Sequence, residues 1–542
     1  MLARKTKISR TLGFATIALL AWPSLAGAQR LTPIPPRGAS RAQSRVQANN
    51  LGTGSPWTPL TNQPTFLDDV NCAGAANPLL LTDGTVIVQE GGCQEWWRLT
   101  PDNTGSYVNG TWSELASLPS DYSPLYHSSA VLPDGRLIIM GGEYNFFNPV
   151  WTNLGAIYDP LANTWTPVAP PSGWTTIGDS QSVVLANGTY MQANCCTTQS
   201  ALLNASTLTW TPTGTGKYDP NDEEGWNLLP SGKVLTVDAY VPISPFPYIP
   251  TGTNSEIYNP RTGSWSSAGS TIVQLWDSAI SCGGEKVATF ELGPAVLRPD
   301  GTVFYTGSNT CEYSAGPPPV FANGNTAIYN TRWGRWTPGP TFTGGNNIAD
   351  GPASLETNGK VLMMASPGYG DPPSTFFEWD GRDLHTVPGP PNAPIDGSFY
   401  GNMLILPSGQ VLLTDFSDDI ELYNPRGGYQ PEWAPVIFGS PFFVQPGGSY
   451  QVYGVRFNGM SQGAAYGDDV QGATNYPMVR ITNFSTGHVF YSRTHDHSSM
   501  AVASNDIVST HFDVSAAQEK GLSKLEVVAN GIPSFPALVY VK

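Results

Sequence analysis

One arrangement of apolar and polar positions recurs seven times along the chain: a short apolar run, a polar turn ending in glycine, then a second apolar run. The turn glycines are Gly84, Gly135, Gly188, Gly232, Gly301, Gly359 and Gly409, spaced 44 to 69 residues apart. Apolar runs joined through such a turn predict β-hairpins. Their recurrence at about 50 residues, with no helical periodicity between them, predicts the repeated four-stranded blades of a β-propeller. In that architecture the inner strand of every blade starts at one central channel, so equivalent positions in distant repeats can be compared for chemistry.

The repeat is of kelch type. Its outer strands carry a second signature: Ile157-Tyr158-Asp159-Pro160 leads to Trp165, Ile257-Tyr258-Asn259-Pro260 to Trp265, and Ile328-Tyr329-Asn330 to Trp336. Asx-Pro pairs make turns, and the following tryptophan is placed to pack between blades. Trp112 and Trp210 mark the same strand in blades one and three. Phe377, Trp379 and Leu384 mark blade six more weakly. Blade seven has Leu422-Tyr423-Asn424-Pro425 but no matching last strand, whereas Trp57-Thr58-Pro59 copies that strand ahead of blade one. The N-terminal strand is therefore expected to complete blade seven, which would leave no exposed sheet edge. After Trp433 the repeat stops, and alternating strands such as Tyr450–Tyr453 and Met478–Ile481 predict an immunoglobulin-like β-sandwich. The expected fold class is all-β: a seven-bladed kelch-type propeller over residues 56–433, followed by an immunoglobulin-like domain over 434–542.

Composition supports this and narrows the partners. Glycine (58) and proline (49) are abundant and only 13% of residues are charged, which suits many short strands and turns. A net charge of −16 argues against nucleic acid, whose phosphates need a basic face. Arg4, Lys5, Lys7 and Arg10 precede a mostly apolar run from Leu12 to Trp22 and the small residues Ala26-Gly27-Ala28. This reads as a signal peptide over residues 1–28, too short to span a bilayer, followed by a disordered leader over 29–55. A secreted (extracellular or periplasmic) monomer with no membrane span is expected. Export permits disulfides, but six cysteines allow fifteen pairings and spacing does not choose among them.

Nine residues before each turn glycine lies the start of an inner strand. The residues there are Ala75, Tyr126, Asp179, Glu223, Leu292, Asp350 and Tyr400, flanked by His127, Glu224 and Glu291. Carboxylates converging on one axis repel unless they bind a cation, share protons or accept hydrogen bonds. The functional reading is an acidic pocket at the channel mouth, with Tyr126, His127, Glu223, Glu224 and Asp350 as catalytic groups. In it Asp179 and Glu291 are ligands for a divalent metal ion. The bland alternative is that these acids cap turns. His495 and His497 lie two apart, on one face of an extended segment, and are candidate metal ligands if their hairpin reaches the channel. Trp226, Phe399 and Tyr400 are candidates for stacking on a small-molecule or glycan substrate.

The segment Tyr126-His127-Ser128-Ser129-Ala130, leading to Pro133-Asp134-Gly135 and Gly141-Gly142, together with the two-domain layout, resembles the galactose oxidase and glyoxal oxidase family. That resemblance implies an extracellular enzyme acting on a carbohydrate or other alcohol. It also implies a copper-radical cofactor built from a cysteine–tyrosine crosslink, a Tyr-His pair and a late histidine. Tyr126 matches the crosslinked tyrosine. Ala75 stands at the cysteine's place, with Cys72 three residues away, and Phe399-Tyr400 stands where the Tyr-His pair belongs. His488, His495 and His497 are stand-ins for the last ligand. The sequence thus predicts a galactose-oxidase-like protein whose site is rebuilt with carboxylates. A non-catalytic glycan-binding module and a copper oxidase using a displaced Cys72 are the competing readings.

Overall fold

The computed structural model describes residues 54–67, 71–239, 252–276, 291–309, 312–314, 320–368, 370–465 and 472–542. The expected signal peptide, nearly all of the expected leader, and Cys282 and Cys311 lie outside them. Seven antiparallel sheets follow one another in chain order. Their inner strands are Ala75–Leu80, Ser128–Val131, Ser182–Val184, Asn227–Leu228, Leu292–Leu297, Ala353–Leu355 and Asn402–Ile405. Each inner strand turns back through its glycine into the second strand, as Leu80 to Val86 and Val131 to Leu137 do. The seventh sheet takes its outermost strand from the other end of the chain: Trp57, Thr58 and Pro59 pair with Tyr423, Leu422 and Glu421.

The outer tryptophans tie neighbouring blades together. The Trp165 indole N–H donates to the Ala116 carbonyl at 2.9 Å, Trp210 to Ala169 at 2.7 Å and Trp112 to Asn62 at 2.9 Å. Trp336 donates to the Ser255 hydroxyl at 2.9 Å, and Trp57 to the Pro388 carbonyl at 2.6 Å. Each indole buries its apolar body against its own sheet and uses its single donor across the seam, which is what an amphipathic ring in a wedge-shaped gap can do.

From Val436 onward the chain forms a separate set of strands. It is mostly antiparallel, with Phe443–Val444 pairing in parallel with Tyr540–Val541. These strands close on an apolar core that includes Val452, Phe457, Ile481, Phe512, Leu525 and Val539. This part sits on the turn face of the propeller. The Thr494 N–H donates to the Thr82 carbonyl at 3.1 Å, and the Arg493 guanidinium to the Asp134 carbonyl at 2.7 Å. The Met500 N–H donates to the Ala186 carbonyl at 2.9 Å. Gly84, at φ +80°, has the Tyr491 ring where a Cβ would stand, so this turn needs glycine for its backbone and for its neighbour alike. A second segment rises into the channel: Ala464–Ala465 pairs with Ser354 and Ala353 of blade six, and Gln462 accepts from the Asn227 side chain of blade four at 2.6 Å.

Trp57 is 3% exposed and packs edge-on against Phe376 and Tyr423. Trp57→Ala is expected to cost about 3–5 kcal/mol, read as a lowered midpoint in guanidinium denaturation. A midpoint equal to wild type would show that this closure does not hold the ring.

Candidate functional site

The face opposite the docked C-terminal strands is the channel mouth, where the inner strands begin. The chain bends sharply there. Tyr126 (φ 49°), Glu223 (φ 54°) and Asp350 (φ 148°) adopt positive φ, as do Gly74 and Gly178 one residue before Ala75 and Asp179. Non-glycine residues accept such conformations only where surrounding structure imposes them. Here the bend lets a side chain leave the strand direction and face the axis.

Two halves of the mouth differ in chemistry. On the side of blades four to six, one carboxylate oxygen each of Glu223, Glu291 and Asp350 lie within 4.8 Å of one another. All three residues are buried, at 7%, 3% and 8% exposure. A spacing below 5 Å between oxygens matches ligands at about 2.3–2.6 Å around one calcium-like ion, and an all-oxygen donor set favours a hard cation. On the side of blades seven, one and two the mouth is aromatic. Tyr126 and Tyr400 both pack on Phe416, at 6.3 and 6.2 Å between ring centroids, and half-exposed Phe399 stacks on Tyr400 at 4.1 Å. A small pocket behind Tyr126 and Phe416 is lined by Asn77, Gln89, His127 and Asn402.

Other expected site residues face elsewhere. His127 is buried, with its Nε2 2.9 Å from the Gln89 side-chain oxygen and its Nδ1 3.2 Å from the Ser128 carbonyl. Burial pushes its pKa down to about 4, against a smaller opposing effect of the Ser128 carbonyl. Glu224, next in chain to Glu223, points away from the triad into a separate buried cage around Lys217. Burial, then Asp219, raises the Glu224 pKa. Burial alone would lower that of the Lys217 ammonium, but Glu224, Asp219, Asp238 and Glu256 hold it well above its ordinary value. Asp179 lies outside the triad and interacts with Asp222. Burial raises Asp179 to about 6, and burial plus repulsion from Asp179 and Asp219 raises Asp222 to about 7. Trp226 is not at the mouth: it is fully buried, packs on Trp265 at 5.5 Å, and lines a cavity deeper in the channel with Tyr476 and Met500.

The late histidines do not reach the acids. The His497 N–H donates to the Pro133 carbonyl, at the turn end of the inner strand that follows Tyr126. Seven residues at about 3.3 Å each put some 20 Å between the two ends. Its Nδ1 is 2.8 Å from the Thr510 hydroxyl, and His495 lies between Asp496 and Asp513 at 2.8 and 3.2 Å. Burial, then the neighbouring His495, pushes His497 down to about 3. The segment that does rise into the channel, around Gln462, carries no histidine. Gln89 lies on a second strand and Phe416 two residues past one, so a reading from inner-strand starts misses both, and Asn402 opens the inner strand of blade seven two residues after the counted position Tyr400. Asp222 was within reach of such a reading, one residue before Glu223.

Comparison with known proteins places the repeat. A kelch motif matches residues 124–172, which hold blade two and its approach. One blade of the propeller thus carries a kelch motif. The "Kelch-like protein terF" of Aspergillus terreus is 26% identical over 129 residues, 23% of this chain and about a quarter (26%) of that relative's length. Among solved structures, a fungal alcohol oxidase in complex with copper is 13% identical, with a TM-score of 0.46 over 90% of this chain and 99% of that one. A streptogramin B lyase structure is 11% identical, with a TM-score of 0.43 over 68% of this chain and 96% of that one. Among the described residues of the propeller and C-terminal strands, no helix is long and apolar enough to cross a membrane.

The residues of this propeller do not fit a copper-radical group. Ala75 offers no sulfur, and Cys72 is bonded to Cys93, which removes the displaced-cysteine reading of a Cys72–Tyr126 crosslink. Cys195 is bonded to Cys196. Phe399 has no ligand atom, His495 and His497 are at the far face, and His488 pairs with Glu519 at 2.7 Å.

The depressed pKa of His127 fixes a sign. Its neutral form is favoured by folding, so its stabilisation is complete above the ordinary value of 6.5 and is lost as pH falls toward about 4. One such residue is expected to cost about 2 kcal/mol at pH 5. Denaturant unfolding at pH 7 and pH 5 should show that difference shrinking by about this amount in His127→Gln; an undiminished difference would refute a buried neutral imidazole.

Proposed function

We propose that this kelch propeller is an exported enzyme that acts on a carbohydrate or other polyol at the channel mouth, with a divalent cation held by Glu223, Glu291 and Asp350. The observation that carries the reading is the convergence of these three buried carboxylates from three successive blades. A sugar has an apolar ring face and a polar rim of hydroxyls. Tyr126, Phe399 and Tyr400 suit the first, and a cation-bearing acidic wall suits the second. A hard cation in such a place supplies Lewis acidity, polarising a bound oxygen and lowering the pKa of its proton. Asp179 and Asp222, both shifted toward neutrality, suit holding and releasing a proton. Tyr126, on the aromatic side, suits orienting the substrate.

The second reading is a glycan-binding module without catalysis, favoured by the half-exposed Phe399–Tyr400 stack alone. The two separate in one experiment. Oligosaccharides and simple polyols are screened for turnover after metal removal, with and without added Mg²⁺, Mn²⁺ or Ca²⁺. Metal-dependent turnover that falls at least about 100-fold in Glu291→Gln, the effect of losing several kcal/mol of charge stabilisation, supports the enzyme. Metal-independent glycan binding without turnover, lost in Tyr400→Ala and kept in Glu291→Gln, overturns it.

A further inference from the structure

Behind the mouth, between blades three and four, lies a second set of charges that the proposed reaction does not use. Lys217, Asp219 and Glu224 come from the connection between the two blades; Asp238 follows the strand Val234–Val237 and Glu256 lies within Asn254–Asn259. The Lys217 ammonium contacts Asp219, and lies 2.9 Å from Glu224, 2.8 Å from Glu256 and 3.8 Å from Asp238. None of the five residues is more than 7% exposed. One ammonium among four carboxylates leaves three negative charges in excess in a place shielded from water, where unbalanced charge is costly.

The unbalanced oxygens are identifiable. Glu224 is satisfied, accepting from Lys217 on one oxygen and from Gln181 and Thr236 on the other, at 3.2 and 3.0 Å. Among the described residues no hydrogen-bond donor reaches Asp219 Oδ2 or either carboxylate oxygen of Asp238, although Asp219 is 0% and Asp238 1% exposed. One oxygen each of Asp219, Glu224 and Asp238 lie within 4.8 Å of one another. We infer that this cage is a second cation site, in which Asp219, Glu224 and Asp238 hold a hard divalent ion of calcium type beside Lys217. An all-carboxylate set selects such an ion over softer metals, and its charge leaves the cage one unit from neutral. The ion has a structural role: it pins the connection carrying Asp222 and Glu223 to the end of the second strand of blade four. It shares no ligand with the triad at the mouth and does not depend on the enzymatic reading.

The test uses the full mature chain, stripped with EDTA and dialysed against radioactive Ca²⁺. Asp238→Asn is expected to lose one bound Ca²⁺ per chain relative to wild type, or to bind it at least about ten-fold more weakly. Glu291→Gln keeps that ion. The melting temperature of Glu291→Gln, whose mouth triad is disabled, should rise by several degrees on adding Ca²⁺, and that of Glu291→Gln with Asp238→Asn should not. Asp219→Asn gives the same comparison if Asp238→Asn does not fold. Lys217→Met, which removes the internal positive charge, should widen the gap between melting with Ca²⁺ and with EDTA. Equal Ca²⁺ binding in wild type and the two Asp→Asn variants, with an equal thermal response in Glu291→Gln with and without them, would overturn the inference, leaving a cage neutralised by Lys217 and shared protons.

Discussion

Ring closure is the constraint on which everything else in this molecule depends. Three residue pairs, Trp57 to Tyr423 through Pro59 to Glu421, join the two ends of the propeller sequence. They turn seven successive sheets into a wheel with a single axis. The indole bridges of Trp112, Trp165, Trp210, Trp336 and Trp57 then fix the seam between neighbouring blades by a directional bond rather than by packing alone. With the seams fixed, the start of each inner strand has a defined distance from the axis. Glu223, Glu291 and Asp350 can then meet although more than a hundred residues separate the first from the last.

The two faces of the wheel have opposite duties, and the backbone explains why. At the turn end the chain reverses through tight glycine turns with little side-chain bulk. That leaves a surface against which Tyr491, Arg493, Thr494 and Met500 of the C-terminal strands settle. At the other end the chain arrives from the outer strands and bends into the inner strand through left-handed residues. These bends place long side chains over the opening. A structural face and a chemical face therefore arise from the direction of the strands themselves, a division familiar in sheet proteins whose sites sit at one end of the strands.

Electrostatics divides the interior a second time. Neighbouring residues Glu223 and Glu224 belong to different charge clusters, one open to the channel mouth and one sealed around Lys217. The left-handed backbone at Glu223 turns the chain between the two residues, so their side chains leave in different directions. The same logic sends His127 inward to Gln89 while Tyr126 faces the aromatic wall.

The spacing of turn glycines, the outer-strand tryptophans and the copy of their last strand at Trp57 are local patterns, so the repeated β-architecture was legible in the sequence by itself. So was the acidic character of the inner-strand starts, because that position is set by counting within a repeat. What remained illegible depends on direction and on contacts across repeats. The pairing of Cys72 with Cys93 was one of many allowed by composition. Trp226 reads as a mouth aromatic until packing on Trp265 turns it inward. His495 and His497 read as ligands until docking assigns them to the far face. Position along a strand is written in the chain; which way a side chain faces, and what meets it from another blade, is decided only when the sheets close on one another.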